Sequence, residues 1–252
     1  MWQQMLALDP LVDNTDRTLE EVYKKVVPLS EEIRISTGYF YVSGFDLVAE
    51  DLEQLADPAT LGHAPMRILM GRKTDQQTAD EIAEGVSLRE QFRTELQTDI
   101  EELNRPQLER LARLRDFIAQ GLIEVRIRVP EQGYFHAKGS CFRGPPESEE
   151  DRGGEVDRRP AVTVVGSSNF SESGQRRNIE LNMTSQDRRE AEAFESWYDN
   201  QWANAEEFSE DIVTVIENSS KFQEWQEQRE REKEDGGTDD QADELGTYME
   251  PF

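Results

Sequence analysis

The chain has 252 residues, enough to bury a core of its own as one large α/β domain or as one domain with a tail. Its formal net charge is −26, from 28 basic and 54 acidic residues, and its single cysteine, Cys141, excludes an intrachain disulfide. No apolar run reaches the roughly 20 residues that span a bilayer, and the N-terminus, Met1-Trp2-Gln3-Gln4, has neither a basic region nor a signal-length apolar core, so a soluble, cytoplasmic protein without a membrane partner is expected.

In chain order, a first helix is expected over residues 15–27. Thr15 or Asp16 would cap it, Leu19, Val22, Tyr23 and Val26 form its apolar stripe, and Pro28 ends it. Residues 32–43 read as a strand, 45–56 as a helix and 66–70 as a second strand closed by Gly71. This β-α-β order predicts a parallel pair with a right-handed crossover. Residues 74–120 read as helical, divided near Gly85 and Pro106, with Gly121 as the C-terminal cap. In 123–129, Ile and Val alternate with Glu124, Arg126 and Arg128, the pattern of a strand with one wet face.

Residues 134–142 and 161–170 read as two further strands, apolar and β-branched or aromatic. Between them, 144–160 is acidic and rich in Gly and Pro, and is expected to be a mobile surface excursion that folding can dispense with. A short strand is expected at 178–182, then helix from 187 to about 231. Phe194, Trp197, Tyr198 and Trp202 recur there at helical spacing and read as core. The expected organisation is therefore one domain over 1–231 and a charged tail or linker over 232–252. The apolar return at 245–252 is expected to be either a frayed C-terminus or the lead-out of a module of a larger protein.

The chemistry-bearing residues gather in 134–182. Side chains two apart on a strand share a face, which would pair His136 with Lys138 and Ser167 with Asn169. With Glu180 they supply an acid-base or nucleophilic group, a cation, neutral donors and a carboxylate. That is a set able to handle a phosphate without a metal. One cysteine and two histidines at this spacing build no zinc site.

His136-Ala137-Lys138, Gly166-Ser167-Ser168-Asn169 and the following Glu180 together resemble the signature of the phospholipase D superfamily. The resemblance implies a three-layer α/β/α sandwich with a mixed sheet and a metal-independent phosphodiesterase that needs no cofactor. His136 would form a phosphohistidine. Lys138, Asn169 and Ser167 would hold the phosphoryl oxygens, and Glu180 would fix the tautomer of the imidazole. The family uses two such motifs across a twofold axis. With one motif here, the resemblance implies a homodimer. Where the family usually carries Asp, five positions after the Lys, this chain has Arg143. A looser resemblance, over Thr37-Gly38-Tyr39-Phe40 to Met70-Gly71-Arg72, is to the phospholipase-D-like domain preceding the motor of some prokaryotic superfamily 2 helicases, and implies a helicase or ATPase partner or fusion.

Residues 105–143 carry eight basic residues against four acidic ones, in a chain that is otherwise strongly acidic. That favours a phosphate polymer, DNA first, over a phospholipid, with Arg126, Arg128 and Arg143 joining Lys138, Ser167 and Asn169 as substrate contacts. The alternative from another class is a catalytically silent nucleic-acid-binding or regulatory module of a helicase or DNA-defence system. Only six of the 28 basic residues are lysine, and the acidic excess is spread along the chain, as expected for a salt-rich cytoplasm.

Overall fold

The computed structural model describes residues 6–38, 44–45, 48–49, 52, 55–71, 88–130, 134–146, 148 and 157–236. The sequence expectations for 39–43, most of 45–56, 74–87, 149–156 and 237–252 lie outside these residues. The described strands are β1 (Leu11–Val12), β2 (Glu32–Thr37), β3 (Met66–Met70), β4 (Ile123–Ile127), β5 (Gly139–Arg143), β6 (Ala161–Gly166), β7 (Asn182–Ser185) and β8 (Glu206–Glu207). They form one sheet in the order β1-β7-β6-β5-β2-β3-β4-β8. β2, β3 and β4 run parallel and the remaining pairs are antiparallel, so the sheet is mixed. The helices are α1 (Leu19–Val26), the single turn α2 (Pro58–Leu61), α3 (Leu88–Glu101), α4 (Arg105–Ala119), α5 (Arg188–Ala203), α6 (Ser209–Asn218) and α7 (Ser220–Gly236).

Helices cover both faces. On one, α1, α3, α4, α6 and α7 enclose the main core with Ile33, Ile35, Ile68, Val125, Phe142 and Val164. On the other, among the described residues, α5 alone lies across the sheet, burying Tyr198 and Trp202 against Leu69 and Phe135, with Tyr198 Oη donating to the Arg67 carbonyl at 2.7 Å. The expected three-layer sandwich is therefore present, with unequal layers. β2, β3, β4 and β6 end, and β5 and β7 begin, at one edge of the sheet. The registers Gly166↔Asn182, Gly139↔Val165, Ser36↔Gly139, Thr37↔Met70 and Met70↔Ile127 mark that edge.

Local chemistry explains where the elements depart from the expectations. α1 starts four residues late, because Thr18 and Glu21 make a reciprocal capping box at its head. Pro106 sits in the first turn of α4, where its missing N–H costs nothing, so the break falls before it and Asn104 caps the helix. Gly121 takes a left-handed φ of 72° just past α4, as a helix stop requires. The expected long C-terminal helix is three helices interrupted by β8. α7 runs through the expected boundary at 231/232, and Glu232 pairs with Arg105.

The face under α5 holds a buried ionic cluster. Arg34, Arg67, Arg143 and Arg159 meet Glu32, Glu195, Asp157 and Asp199. Arg143 is fully buried and forks onto Glu195 of α5, at 2.9 and 2.5 Å. Arg159 donates to Glu32 at 2.8 Å and lends its carbonyl to Arg143, also at 2.8 Å. Two expectations fall here. Arg143 cannot touch a substrate. Residues 157–160 are part of the fold, not a free excursion, because Arg159 is needed to balance Glu32.

Candidate active site

The site lies at the marked sheet edge. β5 begins only at Gly139, and β6 ends at Gly166. His136, Lys138, Ser167 and Asn169 therefore stand on irregular backbone beyond the strands, not on shared strand faces as expected. Other contacts bring them together. The Gly38 N–H, just past β2, donates to Asn169 Oδ1 at 3.2 Å. A Cβ placed on Gly38 would lie 2.6 Å from His136 Cδ2 and 3.0 Å from Asn169 Oδ1. The imidazole and the amide thus converge on one backbone point that only glycine leaves open. With Oδ1 taken by Gly38, the Asn169 NH2 is the end left to donate to a ligand. Lys138 Nζ donates to the His136 carbonyl at 3.1 Å, and the Lys138 carbonyl accepts from Gly166 N at 3.3 Å, tying the two motifs together.

Ser167 Oγ accepts from Leu181 N at 3.0 Å and donates to Glu180, which also receives Asn178 Nδ2 at 3.4 Å. Glu180 precedes β7 instead of lying on a strand, and its bonds go to Ser167 and Asn178. The expected bond from Glu180 to the imidazole is not made within one chain. Desolvation, and then the charge of Lys138, hold the His136 pKa below the ordinary 6.5. Desolvation also lowers that of Lys138, opposed by the Glu180 carboxylate. The site therefore favours a neutral imidazole beside a cation at neutral pH.

Two supporting residues were missed from sequence. Buried Asn182 holds Ser168, donating to its Oγ at 2.9 Å and accepting from its N–H at 3.4 Å. Asn14, at φ 61°, donates to the carbonyls of Gly174 and Asn178 at 2.8 and 3.0 Å, fixing the turn before Glu180. Asn14 lies in an Asp-Asn-Thr run of turn formers, the one sequence signal that points to it. Among the described residues no cluster of three His, Cys, Asp or Glu is arranged to hold a metal ion.

The family model "Cardiolipin synthase, PLD-like domain" matches residues 29–202, more than half of the chain and all of the site. The chain belongs to this phospholipase-D-like family. Among solved structures, it is similar to NucT from Helicobacter pylori (12% identity, TM-score 0.43, covering 79% of this chain and 97% of that one). It is also similar to Nuc, a phospholipase D family member from Salmonella typhimurium (12%, 0.45, 78% and 95%), and to TrmBL2, an archaeal chromatin protein described as binding DNA (11%, 0.36, 78% and 52%). No curated protein matches the sequence.

The candidate site is flanked on the α5 side by a trough of about 840 Å³, whose lining includes His136, Lys138, Val165, Met183, Phe194 and Trp197. Arg126 and Arg128 lie at the same sheet edge, at the end of β4. Arg126 is held by Glu124 at 2.8 Å and lies over the Trp202 ring, 4.7 Å from its centre. Arg128 donates to Gln201 Oε1 at 3.2 Å and to the Val129 carbonyl at 2.9 Å. The basic run of 105–143 is not one patch. Arg105 and Arg115 sit on α4, across the sheet, paired with Glu232 and Asp116, and Arg143 is internal.

Proposed function

We propose that this phospholipase-D-like protein is a phosphodiesterase acting on nucleic acid, DNA first, through a phosphohistidine and without a metal. The convergence of His136 and Asn169 on Gly38, with Lys138 tied to the same segment, carries the reading. The imidazole forms a bond to phosphorus as the bond to the leaving oxygen breaks. Lys138 Nζ and the Asn169 amide take up the charge of the pentacoordinate phosphorus. A second imidazole gives its proton to the leaving oxygen, then takes one from the water that opens the phosphohistidine.

One chain supplies one such histidine, so the proposal includes a homodimer. An exposed aliphatic row supports it. Leu11, Met183 and Val165 are paired across β1, β7 and β6, with Leu181 beside them, and each is more than half exposed. In a chain of mean hydropathy −0.80, such a row marks a contact surface. Wild type mixed with His136→Ala subunits should lose activity as the square of the wild-type fraction after random exchange; a linear fall rules out the shared site. The association with a helicase rests on the resemblance around Gly38 and Gly71 alone.

A second reading is a silent nucleic-acid module, favoured by the Glu180–Ser167 bond, which leaves the imidazole of the same chain without a carboxylate partner. Hydrolysis of DNA in EDTA and multimolar KCl, with a DNA fragment trapped on His136 through an acid-labile phosphorus–nitrogen bond, separates the two. Binding with neither turnover nor a trapped fragment would establish the silent module.

A further inference from the structure

We infer that the α5 wall of the trough is a stacking subsite for an unpaired nucleobase, and that a single strand runs from Lys138 across Trp197 to Arg128. This rests on the nuclease reading and names the form of substrate. Trp197 is 37% exposed although Phe135 lies parallel to it, at 6.2 Å and 13°, and Phe194 lies 5.6 Å away. Its ring is thus a supported platform, not a loose surface side chain. Tyr134, 55% exposed, stands edge-on to the His136 ring at 5.7 Å.

A cation lies to either side of the platform. Lys138 is on the histidine side. Arg128 is reached through Gln201, four residues and about one helical turn after Trp197. Among the described residues, Arg128 bonds to an amide oxygen and a carbonyl and makes no ion pair, so its charge is available to a phosphate. The order cation, aromatic, cation fits phosphate, base, phosphate. A lipid brings one anionic head and a chain, and uses only one of the two cations. A duplex keeps its bases stacked on each other and away from the platform. Glu190 also lines the trough, about two turns before Trp197, so the strand must leave before reaching it.

Binding is read separately from turnover by using the non-hydrolysing His136→Ala protein, with Trp2→Phe to silence the N-terminal fluorophore. Trp202 and Trp225 are buried, so the remaining quenchable emission comes chiefly from Trp197. A short oligo(dT) should quench it, and a duplex of equal length should bind at least about tenfold more weakly. Read by the anisotropy of a dye-labelled oligo(dT), Trp197→Leu should weaken binding about tenfold or more, and Trp197→Phe should restore most of it. Arg128→Gln should weaken binding and lower the salt slope by about one. Equal binding of duplex, or unchanged affinity in Trp197→Leu, overturns the subsite. Quenching by phosphatidylglycerol vesicles but not by oligo(dT) would make the trough an acyl-chain groove instead. If Trp197→Leu does not fold, Trp197→Phe and Arg128→Gln carry the test. Oligo(dT) binding intact in a wild type without turnover would refute the catalytic reading and leave the subsite standing.

Discussion

Gly38 is the residue on which the site closes. A methyl there would overlap the imidazole edge, so Gly38→Ala must push His136 or Asn169 aside. A displacement near 1 Å costs about 10²-fold in rate, so turnover should fall by about that factor while the melting temperature barely moves. Unchanged turnover would mean that the imidazole is not placed for reaction. The titration of His136 gives a second test. Burial and then Lys138 lower its pKa, so the neutral imidazole persists below pH 6.5 and the acid limb of kcat/KM should lie on the acid side of that value, with a second limb at higher pH where the imidazole that serves as acid loses its proton. Lys138→Met removes the neighbouring charge and should move the acid limb of the residual kcat/KM upward. His136, Lys138 and Asn169 were legible because their chemistry sits in short, ordered motifs. The Glu180–Ser167 bond was not, because spacing along the chain does not say which neighbour a carboxylate will choose.

At the scale of elements, sequence periodicity found most strands and helices but misplaced the ends that matter most. The stretch from Tyr134 to Lys138 has strand composition, yet Lys138 and Gly166 exchange only one backbone bond beyond the ladder, and the regular strand starts at Gly139. Arg143 misled for a different reason. Its partner Glu195 is 52 residues away on α5, and only folding reveals that an internal strand carries a guanidinium with its own counter-charge. Breaking a buried pair strands the surviving charge. Glu195→Ala should cost about 3–5 kcal/mol in urea unfolding, and Arg143→Met/Glu195→Met clearly less than the sum of its single substitutions. Additive losses would mean that the two side chains are not coupled.

For the whole molecule, net charge sets the conditions under which the fold is stable. Carboxylates outnumber cations nearly two to one, so mutual repulsion opposes compaction until salt screens it. The screening length falls from about 10 Å at 0.1 M to about 3 Å at 1 M, and the melting temperature should climb with KCl over that range. A flat profile would remove the case for a salt-rich setting. The same titration, followed by light scattering, should show monomers joining through the Leu11–Met183–Val165 row as salt rises. Met183→Asp should keep the chain monomeric without unfolding it, because that side chain is already in water. The unequal layers of the sandwich were not legible, since amphipathic periodicity marks a helix as covering a sheet without saying which face it takes.

The Gly144 N–H meets the Pro160 carbonyl at 2.9 Å, at the end of the sheet remote from His136. Chain leaving β5 and chain entering β6 therefore start and finish at one point, whatever lies between. In engineering terms this is a port. A fluorescent reporter, an affinity handle or a protease recognition sequence placed within 149–156 would be joined to two chain ends that the Gly144–Pro160 bond already holds together, at the sheet end remote from His136.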